Sequence, residues 1–90
     1  MAWIIEYSAT AVKSLQDIDK GQARRIIKYM KERVAQSDDP RAFGKALTSN
    51  LSGFWRYRVG DYRVIAEIQN ERVVVLVLRV SHRKDVYGGH

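Results

Sequence analysis

The stretch Trp55-Arg56-Tyr57-Arg58-Val59-Gly60-Asp61-Tyr62-Arg63 alternates aromatic or apolar side chains with basic ones on either side of a glycine–aspartate pair. Successive residues of a β-strand point to opposite faces of the sheet, so this alternation predicts one aromatic face and one basic face. Gly-X is a typical two-residue loop of a type II′ hairpin. The stretch therefore predicts two antiparallel strands with Val59 opposite Tyr62. Counting back along the strands places Arg58 directly opposite Arg63.

Two arginines opposed in this way indicate an anion-binding site. Like charges directly opposite each other destabilise a strand pair by a few tenths to about 1 kcal/mol. An anion between Arg58 and Arg63 would remove this repulsion, and phosphate is the candidate. Arginines that simply solvate the exposed face of the sheet explain the pattern equally well. The closing segment His82-Arg83-Lys84-Asp85-Val86-Tyr87 favours the anion site, because it adds an imidazole, two cations and a phenol beside the hairpin.

Composition limits the classes of function. The 90 residues predict a single domain over residues 1–90, and 16 basic against 10 acidic residues give a net charge of +6, which favours a polyanionic partner. The chain has no cysteine and only two histidines, so we expect no disulfide, no metal site and no cofactor. The longest apolar run, Val73–Leu78, is far too short to cross a membrane, and no secretory segment follows Met1. A cytoplasmic protein without a membrane partner is the expectation.

The remaining pattern predicts an α+β fold. A short strand over residues 3–7 precedes a helix that Ser8 caps, and a break at Gly21 precedes a second helix. Three further strands are expected over residues 55–59, 62–69 and 72–81. The order β-α-α-β-β-β predicts a mostly antiparallel twisted sheet with both N-terminal helices packed on one face. The second helix carries a core-facing stripe and a basic face. The stripe comprises Ala23, Ile26, Ile27, Met30 and Val34. A solvated surface explains the basic face more simply than nucleic-acid contact does.

The second hairpin is predicted at Asn70-Glu71, with Gln69 opposite Arg72. This register sets Ile65 opposite Leu76 and Arg63 opposite Leu78. The sheet face away from the helices would then carry three arginines and three aliphatic side chains: Arg56, Arg58, Arg63, Ile65, Leu76 and Leu78. The same parity extends this face to His82. An apolar patch on a charged small protein is typical of a partner-binding site, so Ile65, Leu76 and Leu78 are the candidate partner contacts.

The chain resembles the RelE/ParE superfamily of bacterial and archaeal toxins, and the RelE branch most closely. The resemblance covers nearly the whole chain. Its specific parts are the Gly60-Asp61-Tyr62-Arg63 hairpin and the ending His82-Arg83-Lys84-Asp85-Val86-Tyr87. Members of the RelE branch are toxins of toxin–antitoxin pairs that enter the ribosomal A site and cut the messenger RNA there. The resemblance therefore implies two partners, a 70S ribosome carrying mRNA and a cognate antitoxin that wraps the toxin, with DNA binding only through the antitoxin complex.

The implied reaction is attack of a 2′-hydroxyl on the neighbouring phosphate, without metal. Arg58 and Arg63 are suited to clamp that phosphate through forked, charge-assisted hydrogen bonds, and Arg56 and Lys84 to bind the RNA backbone. Arg83 matches the family's closing arginine and would act on the leaving group. Tyr87 matches the family's tyrosine and would stack on or hydrogen-bond to the nucleotide. An apolar cap on the sheet edge is the alternative for Tyr87.

One departure from the family concerns the general base. Well-studied members have lysines where this chain has Arg56 and Arg58, and arginine is effectively always protonated. His82, which titrates near neutrality, is hypothesised to share or take over the proton transfer. A strand-end residue without a role is the equal alternative for His82.

The rival function is inhibition of DNA gyrase without nuclease activity, as in the ParE branch. That branch generally lacks the closing arginine and tyrosine, so Arg83 with Tyr87 favours the nuclease. An inactive relative that binds only its antitoxin or DNA is a third possibility.

Overall fold

A computed structural model describes residues 2–47 and 53–84. These residues form a five-stranded sheet and two helices, and the elements follow one another in this order: β1 (Ile4–Tyr7), α1 (Ala9–Asp17), α2 (Lys20–Tyr29), β2 (Lys45–Ala46), β3 (Phe54–Val59), β4 (Tyr62–Gln69) and β5 (Val74–His82). A π-helical turn over Met30–Val34 extends α2, and a 3₁₀ turn over Pro40–Phe43 precedes β2. Within the described ranges, no helix is long and apolar enough to span a membrane.

The strands lie in the order β1-β5-β4-β3-β2. The first strand runs parallel to β5 and the other three pairs are antiparallel. The predicted α+β fold, with helices on one face of a mostly antiparallel sheet, is confirmed. Strand β2 was not predicted: it is two residues long, pairs with Arg56 and Trp55, and lies in a polar segment without the alternation of a strand.

Side-chain caps set the starts of both helices. The Ser8 hydroxyl accepts a hydrogen bond from the Ala11 amide at 3.1 Å, and the Asp19 carboxylate accepts from the amides of Gly21 and Gln22 at 3.0 and 3.3 Å. These bonds satisfy amides that have no partner within the helix. The second helix therefore begins just after Asp19, which caps it. Gly21, where the break was predicted, is the second residue of α2.

The core lies between the helices and one face of the sheet. Ile26, Met30 and Val34 are fully buried, which confirms most of the stripe predicted for α2. Ile27 is the exception, because its side chain is 42% exposed. The sheet contributes alternate residues to this core: Tyr57, Val59, Val64, Ala66, Val75, Val77 and Val80.

Tyr57 predicts a fall in stability at alkaline pH. Burial raises the pKa of its phenol above the usual value near 10, Tyr29 and Asp39 add to the effect, and Arg41 opposes it. The unfolded chain therefore loses this proton first as the pH rises. Because stability falls with pH wherever the unfolded state binds fewer protons, the free energy of unfolding should decline above about pH 10, by up to about 1.4 kcal/mol per pH unit for this group. Urea unfolding at pH 8 and at higher pH measures the decline. If the free energy of unfolding of Tyr57→Phe declined with pH as steeply as that of the wild type, the decline would not come from the Tyr57 phenol.

The β3–β4 hairpin has the predicted register. Val59 pairs with Tyr62 and Arg58 with Arg63. Gly60 has a φ of +59° and Asp61 is not in the positive-φ region, which are the signs of a type II′ turn. The guanidinium of Arg25 lies over this turn, so close that a Cβ at residue 60 would be 2.7 Å from its Nη1 atom. The positive φ is therefore the reason for glycine in this turn, because the flexible end of the Arg25 side chain can move away from a Cβ.

The register predicted for the second hairpin is wrong. Gln69 pairs with Val74, so the loop has four residues, and Val73 takes a φ of +56° in it. Left-handed backbone is strained for a β-branched residue, which is why the sequence did not suggest this loop. Ile65 therefore pairs with Arg79 instead of the predicted Leu76. Arg63 pairs with Ser81 instead of the predicted Leu78.

A β-bulge in β5 changes its parity. Ala66 pairs with Val77 but Ile65 pairs with Arg79, which leaves Leu78 as the extra residue. Before the bulge the core face carries Val75 and Val77, and after it Val80. The Ser8 hydroxyl donates to the Leu78 carbonyl at 2.9 Å, so the first residue before α1 holds the bulge in place.

Candidate phosphate-binding face

We call the side of the sheet away from the helices the outer face. Two neighbouring rows of side chains cross it on β3, β4 and β5. One row contains Arg58, Arg63 and Ser81, and the next contains Arg56, Ile65 and Arg79. The structure therefore brings together the three arginines predicted for this face, and adds Arg79 as a fourth.

Arg58 and Arg63, which lie opposite each other in the first row, differ in solvent exposure. Arg58 is exposed, whereas Arg63 is half-buried on the strand between β3 and β5. Interstrand spacing is about 4.8 Å, so the two side chains start close together and project to the same side. Neither Arg56, Arg58 nor Arg79 forms an ion pair with a described carboxylate. The rows therefore concentrate positive charge where a phosphate oxygen can accept hydrogen bonds from two guanidinium groups.

Arg83 lies at the turn of the first hairpin. Its amide donates to the Asp61 carbonyl at 2.7 Å, and its Nε atom is 3.5 Å from the Asp61 carboxylate. Both side chains are more than half exposed, so this ion pair contributes little stability and leaves the guanidinium able to change partner. Arg83 is thus held near the row of Arg58 and Arg63 through its backbone. Lys84, which follows it, is exposed.

His82 was predicted on the outer face but lies on the helix side of the sheet. His82 pairs with Tyr62, and their rings meet edge to face at 5.1 Å. Tyr62 packs against the core on the helix side of the sheet, so the His82 ring lies on that side as well. The bulge at Leu78 is the reason, because one extra residue exchanges the faces of everything that follows it. The Nδ1 atom of His82 accepts a hydrogen bond from the Lys84 amide at 3.0 Å.

The predicted partner contacts differ in exposure. Leu76 and Leu78 are half-buried, whereas Ile65 is only 8% exposed because it lies on the central strand between two arginine-bearing strands. The aliphatic part of the outer face is therefore a recessed floor between charged side chains. Tyr87, the remaining predicted site residue, lies outside the described residues.

A groove of about 400 Å³ opens on the outer face above this floor. It is lined by Thr10, Leu47, Phe54, Arg56, Ile65, Leu78 and Arg79. Arg79 was not among the residues predicted for this site. One signal could have revealed it: the predicted parity turned Arg79 toward the core, and a charge on a buried face indicates that the parity is interrupted.

A second concave region lies at the tip of the β3–β4 hairpin, on the side of α2. Its described lining contains the basic side chains of Arg25, Lys28, Arg33 and Arg58, and the carboxylate of Glu32. Part of the basic face of α2 is thus continuous with the outer-face arginines through Arg58. This continuity was not visible in the sequence, where α2 and the hairpin are some thirty residues apart.

Comparison with known proteins gives the class to which a chain with this fold belongs. A family model described as the ParE toxin of the type II toxin–antitoxin system parDE matches residues 5–87. The match covers nearly the whole chain, and the chain therefore belongs to the ParE toxin family of type II toxin–antitoxin systems. The resemblance to the RelE/ParE superfamily inferred from the hairpin and the closing motif is confirmed.

Individual relatives lie in the RelE branch. The chain is similar to Toxin RelG of Mycobacterium tuberculosis, with 28% identity over 87 residues that cover 97% of this chain and 98% of the relative. It is also similar to a chain in the crystal structure of the RelBE2 toxin–antitoxin complex of Mycobacterium tuberculosis, with 26% identity and a TM-score of 0.86. The match covers 94% of this chain and 95% of that chain. A mutant of Escherichia coli toxin RelE in the free state shares the fold, with 23% identity, a TM-score of 0.74, and coverage of 99% and 94%.

Proposed function

We propose that this toxin is a metal-independent, ribosome-dependent endoribonuclease that cleaves mRNA in the A site and so inhibits translation in the cytoplasm. The observation that carries the proposal is the direct opposition of Arg58 and Arg63 on an exposed sheet face. Similarity to RelG and to the RelBE2 complex over nearly the full chain supports it. A face built only to bind a protein partner would not need to oppose two like charges in this way.

The chemistry follows from the arginines of the outer face. The 2′-oxygen of the substrate forms a bond to phosphorus while the bond to the 5′-oxygen breaks, which gives a cyclic phosphate and a 5′-hydroxyl. Arg58 and Arg63 would stabilise the charge that develops on the phosphoryl oxygens. Arg83 would stabilise the charge on the leaving oxygen after releasing Asp61. Tyr87 would hold the distorted nucleotide, and Arg56 and Lys84 would bind the adjacent backbone.

The hypothesis that His82 transfers the proton of the 2′-hydroxyl stays a prediction. Its ring packs on Tyr62, so the hypothesis requires the imidazole to swing around the end of β5 when RNA binds. If it does so, His82→Ala should lower the cleavage rate by about a hundredfold or more. Tyr62→Phe is the matched control, because it keeps the ring contact. Full cleavage by His82→Ala on purified ribosomes would contradict the hypothesis.

The proposed physiological partner is a cognate antitoxin. Solved relatives include toxin–antitoxin complexes, among them RelBE2 of Mycobacterium tuberculosis and RelBE of Escherichia coli. A partner for this chain would cover the outer face through Leu76, Leu78 and the small accessible part of Ile65, and its acidic groups would neutralise the arginines around them. DNA binding is proposed only for the resulting complex.

Brief expression followed by mapping of mRNA ends tests the proposal. We expect breaks inside translated codons that disappear in Arg83→Ala and when translation initiation is blocked. DNA damage with intact messages would instead support the second candidate, a gyrase inhibitor of the ParE kind. The family match is the observation that keeps this second candidate in view.

A further inference from the structure

We propose that the outer-face groove between Arg56 and Arg79 is a nucleobase site, which holds an unstacked base of single-stranded RNA beside the phosphate bound by Arg58 and Arg63. The inference deepens the proposed function, on which it rests for the identity of the RNA. Its occupant is a base rather than a phosphate or an apolar side chain, for the geometric and chemical reasons that follow.

The first reason is the width of the groove. Arg56 and Arg79 flank Ile65 from the two neighbouring strands. Two interstrand spacings separate their backbones by about 9–10 Å. A flat ring in van der Waals contact on both sides needs about 7–8 Å. Two arginine side chains that rise from these positions can therefore enclose one aromatic ring, with Ile65 as an apolar floor.

The second reason is the chemistry of the walls. RNA-binding proteins hold unstacked bases on aromatic rings and on arginine planes, and this groove offers both in Phe54 and its two arginines. Among its described lining residues there are two arginines and no carboxylate, so its field attracts a polyanion. Thr10 supplies a hydroxyl at the rim that can donate to or accept from the edge of a base. A pure phosphate site would not need an apolar floor.

The third reason is the β-bulge. In an unbroken register Leu78, not Arg79, would lie opposite Ile65, and one wall of the groove would lose its cation. The extra residue Leu78 brings Arg79 onto the outer face, and the bond from the Ser8 hydroxyl to the Leu78 carbonyl holds it there. Bulges commonly redirect a side chain next to a functional site.

The fourth reason is continuity with the phosphate row. Arg56 and Arg58 are two residues apart on β3 and point to the same face, which separates their backbones by about 7 Å. A nucleotide whose phosphate lies between Arg58 and Arg63 thus has its own or the adjacent base within reach of the groove. The site would select single-stranded RNA, because a paired base cannot enter it.

Binding of non-cleavable RNA tests the inference without requiring catalysis. The probe is a fluorescein-labelled, 2′-O-methylated RNA hexamer, compared with a hexamer of the same backbone whose central residues are abasic. Fluorescence anisotropy with the purified wild-type chain should give about tenfold tighter binding of the base-containing probe, as expected for one stacked base. Equal affinity for the two probes would mean a phosphate-only face and would overturn the inference.

Two conservative variants assign the effect to the groove. Phe54→Leu keeps the apolar volume and Arg79→Lys keeps the charge, but each removes a stacking plane. We expect each to lose about threefold to tenfold in affinity for the base-containing probe and nothing for the abasic probe. Arg72→Lys is the matched control, because Arg72 pairs with Glu6 outside the groove lining. Thermal unfolding shows that the variants fold, and the comparison of probes with wild type needs no variant.

Two further outcomes separate this inference from the proposed function. If Phe54→Leu and Arg79→Lys weaken binding of the cognate antitoxin but leave the preference for bases intact, the groove is a protein-docking site and the inference fails. If the chain cleaves no mRNA on ribosomes yet prefers the base-containing probe, the nuclease proposal fails and the base site stands.

Discussion

Arg63→Ala is expected to lower mRNA cleavage on programmed ribosomes by about a hundredfold to a thousandfold, the usual loss when one preorganised donor to a developing charge is removed. Arg63 lies on the central strand β4, half-buried and opposite Arg58, so its guanidinium is more constrained than that of the exposed Arg58. A constrained donor stabilises the transition state without reorganising during the reaction. Single-turnover cleavage of A-site mRNA by the purified variant is the measurement.

The controls separate geometry from charge. Arg63→Lys keeps the charge but loses the fork, and should retain part of the activity. Arg24→Ala removes one positive charge from the exposed surface of α2 and should cleave nearly as well as wild type. Comparable losses in Arg24→Ala and Arg63→Ala would mean that net charge alone governs ribosome binding. Cleavage by Arg63→Ala at the wild-type rate would remove the phosphate clamp from the proposal.

Tyr57→Ala is expected to reduce the free energy of unfolding by about 3–5 kcal/mol, the range for a large aromatic side chain removed from a core. Tyr57 is completely buried, and its hydroxyl donates to the Pro40 carbonyl at 2.9 Å, which ties β3 to the 3₁₀ turn before β2. Domains of this size have total stabilities of about 5–15 kcal/mol, so the variant should be close to unfolding at 37 °C. Urea unfolding followed by circular dichroism measures the change.

Tyr57→Phe divides this loss into packing and hydrogen bonding. It keeps the ring and leaves the Pro40 carbonyl without its donor, which should cost about 1–3 kcal/mol. Equal destabilisation by the alanine and phenylalanine variants would show that the hydrogen bond, not the packing, accounts for the effect. A Tyr57→Phe protein as stable as wild type would show that water replaces the phenol at Pro40.

Some side chains of the outer face contribute to stability, and others serve only the proposed function. Ile65 is buried although it lies on the outer face, and Arg56 and Arg79 gain nothing from ion pairs with described carboxylates. Repulsion between Arg58 and Arg63 weakens the hairpin slightly. The helix side supplies the compensating burial, which is why an arginine-rich face can exist on so small a sheet.

The first hairpin could be predicted because its information is local. Gly60 fixes the turn, and strict alternation on both strands fixes which face each side chain takes, so the Arg58–Arg63 pair followed by counting. The capped start of α1 at Ser8 was equally local. The register of the second hairpin could not be predicted because the local information is weak there. Asn70-Glu71 is a weak turn signal, and nothing in the sequence marks Val73 for left-handed backbone.

By itself, the sequence determined the α+β order and the basic hairpin, because periodicity and turn chemistry act over a few residues, and its hairpin and closing motif carried the resemblance to the family. The tertiary structure alone decided which residues of β5 join that hairpin. The bulge at Leu78 forms where Ser8, seventy residues earlier, bonds to its carbonyl. That long-range contact moves Arg79 onto the outer face and His82 off it. The local pattern signals at most that the parity is interrupted near Arg79, and it does not give the residue of the bulge, although a shift of one residue changes the face of every side chain that follows.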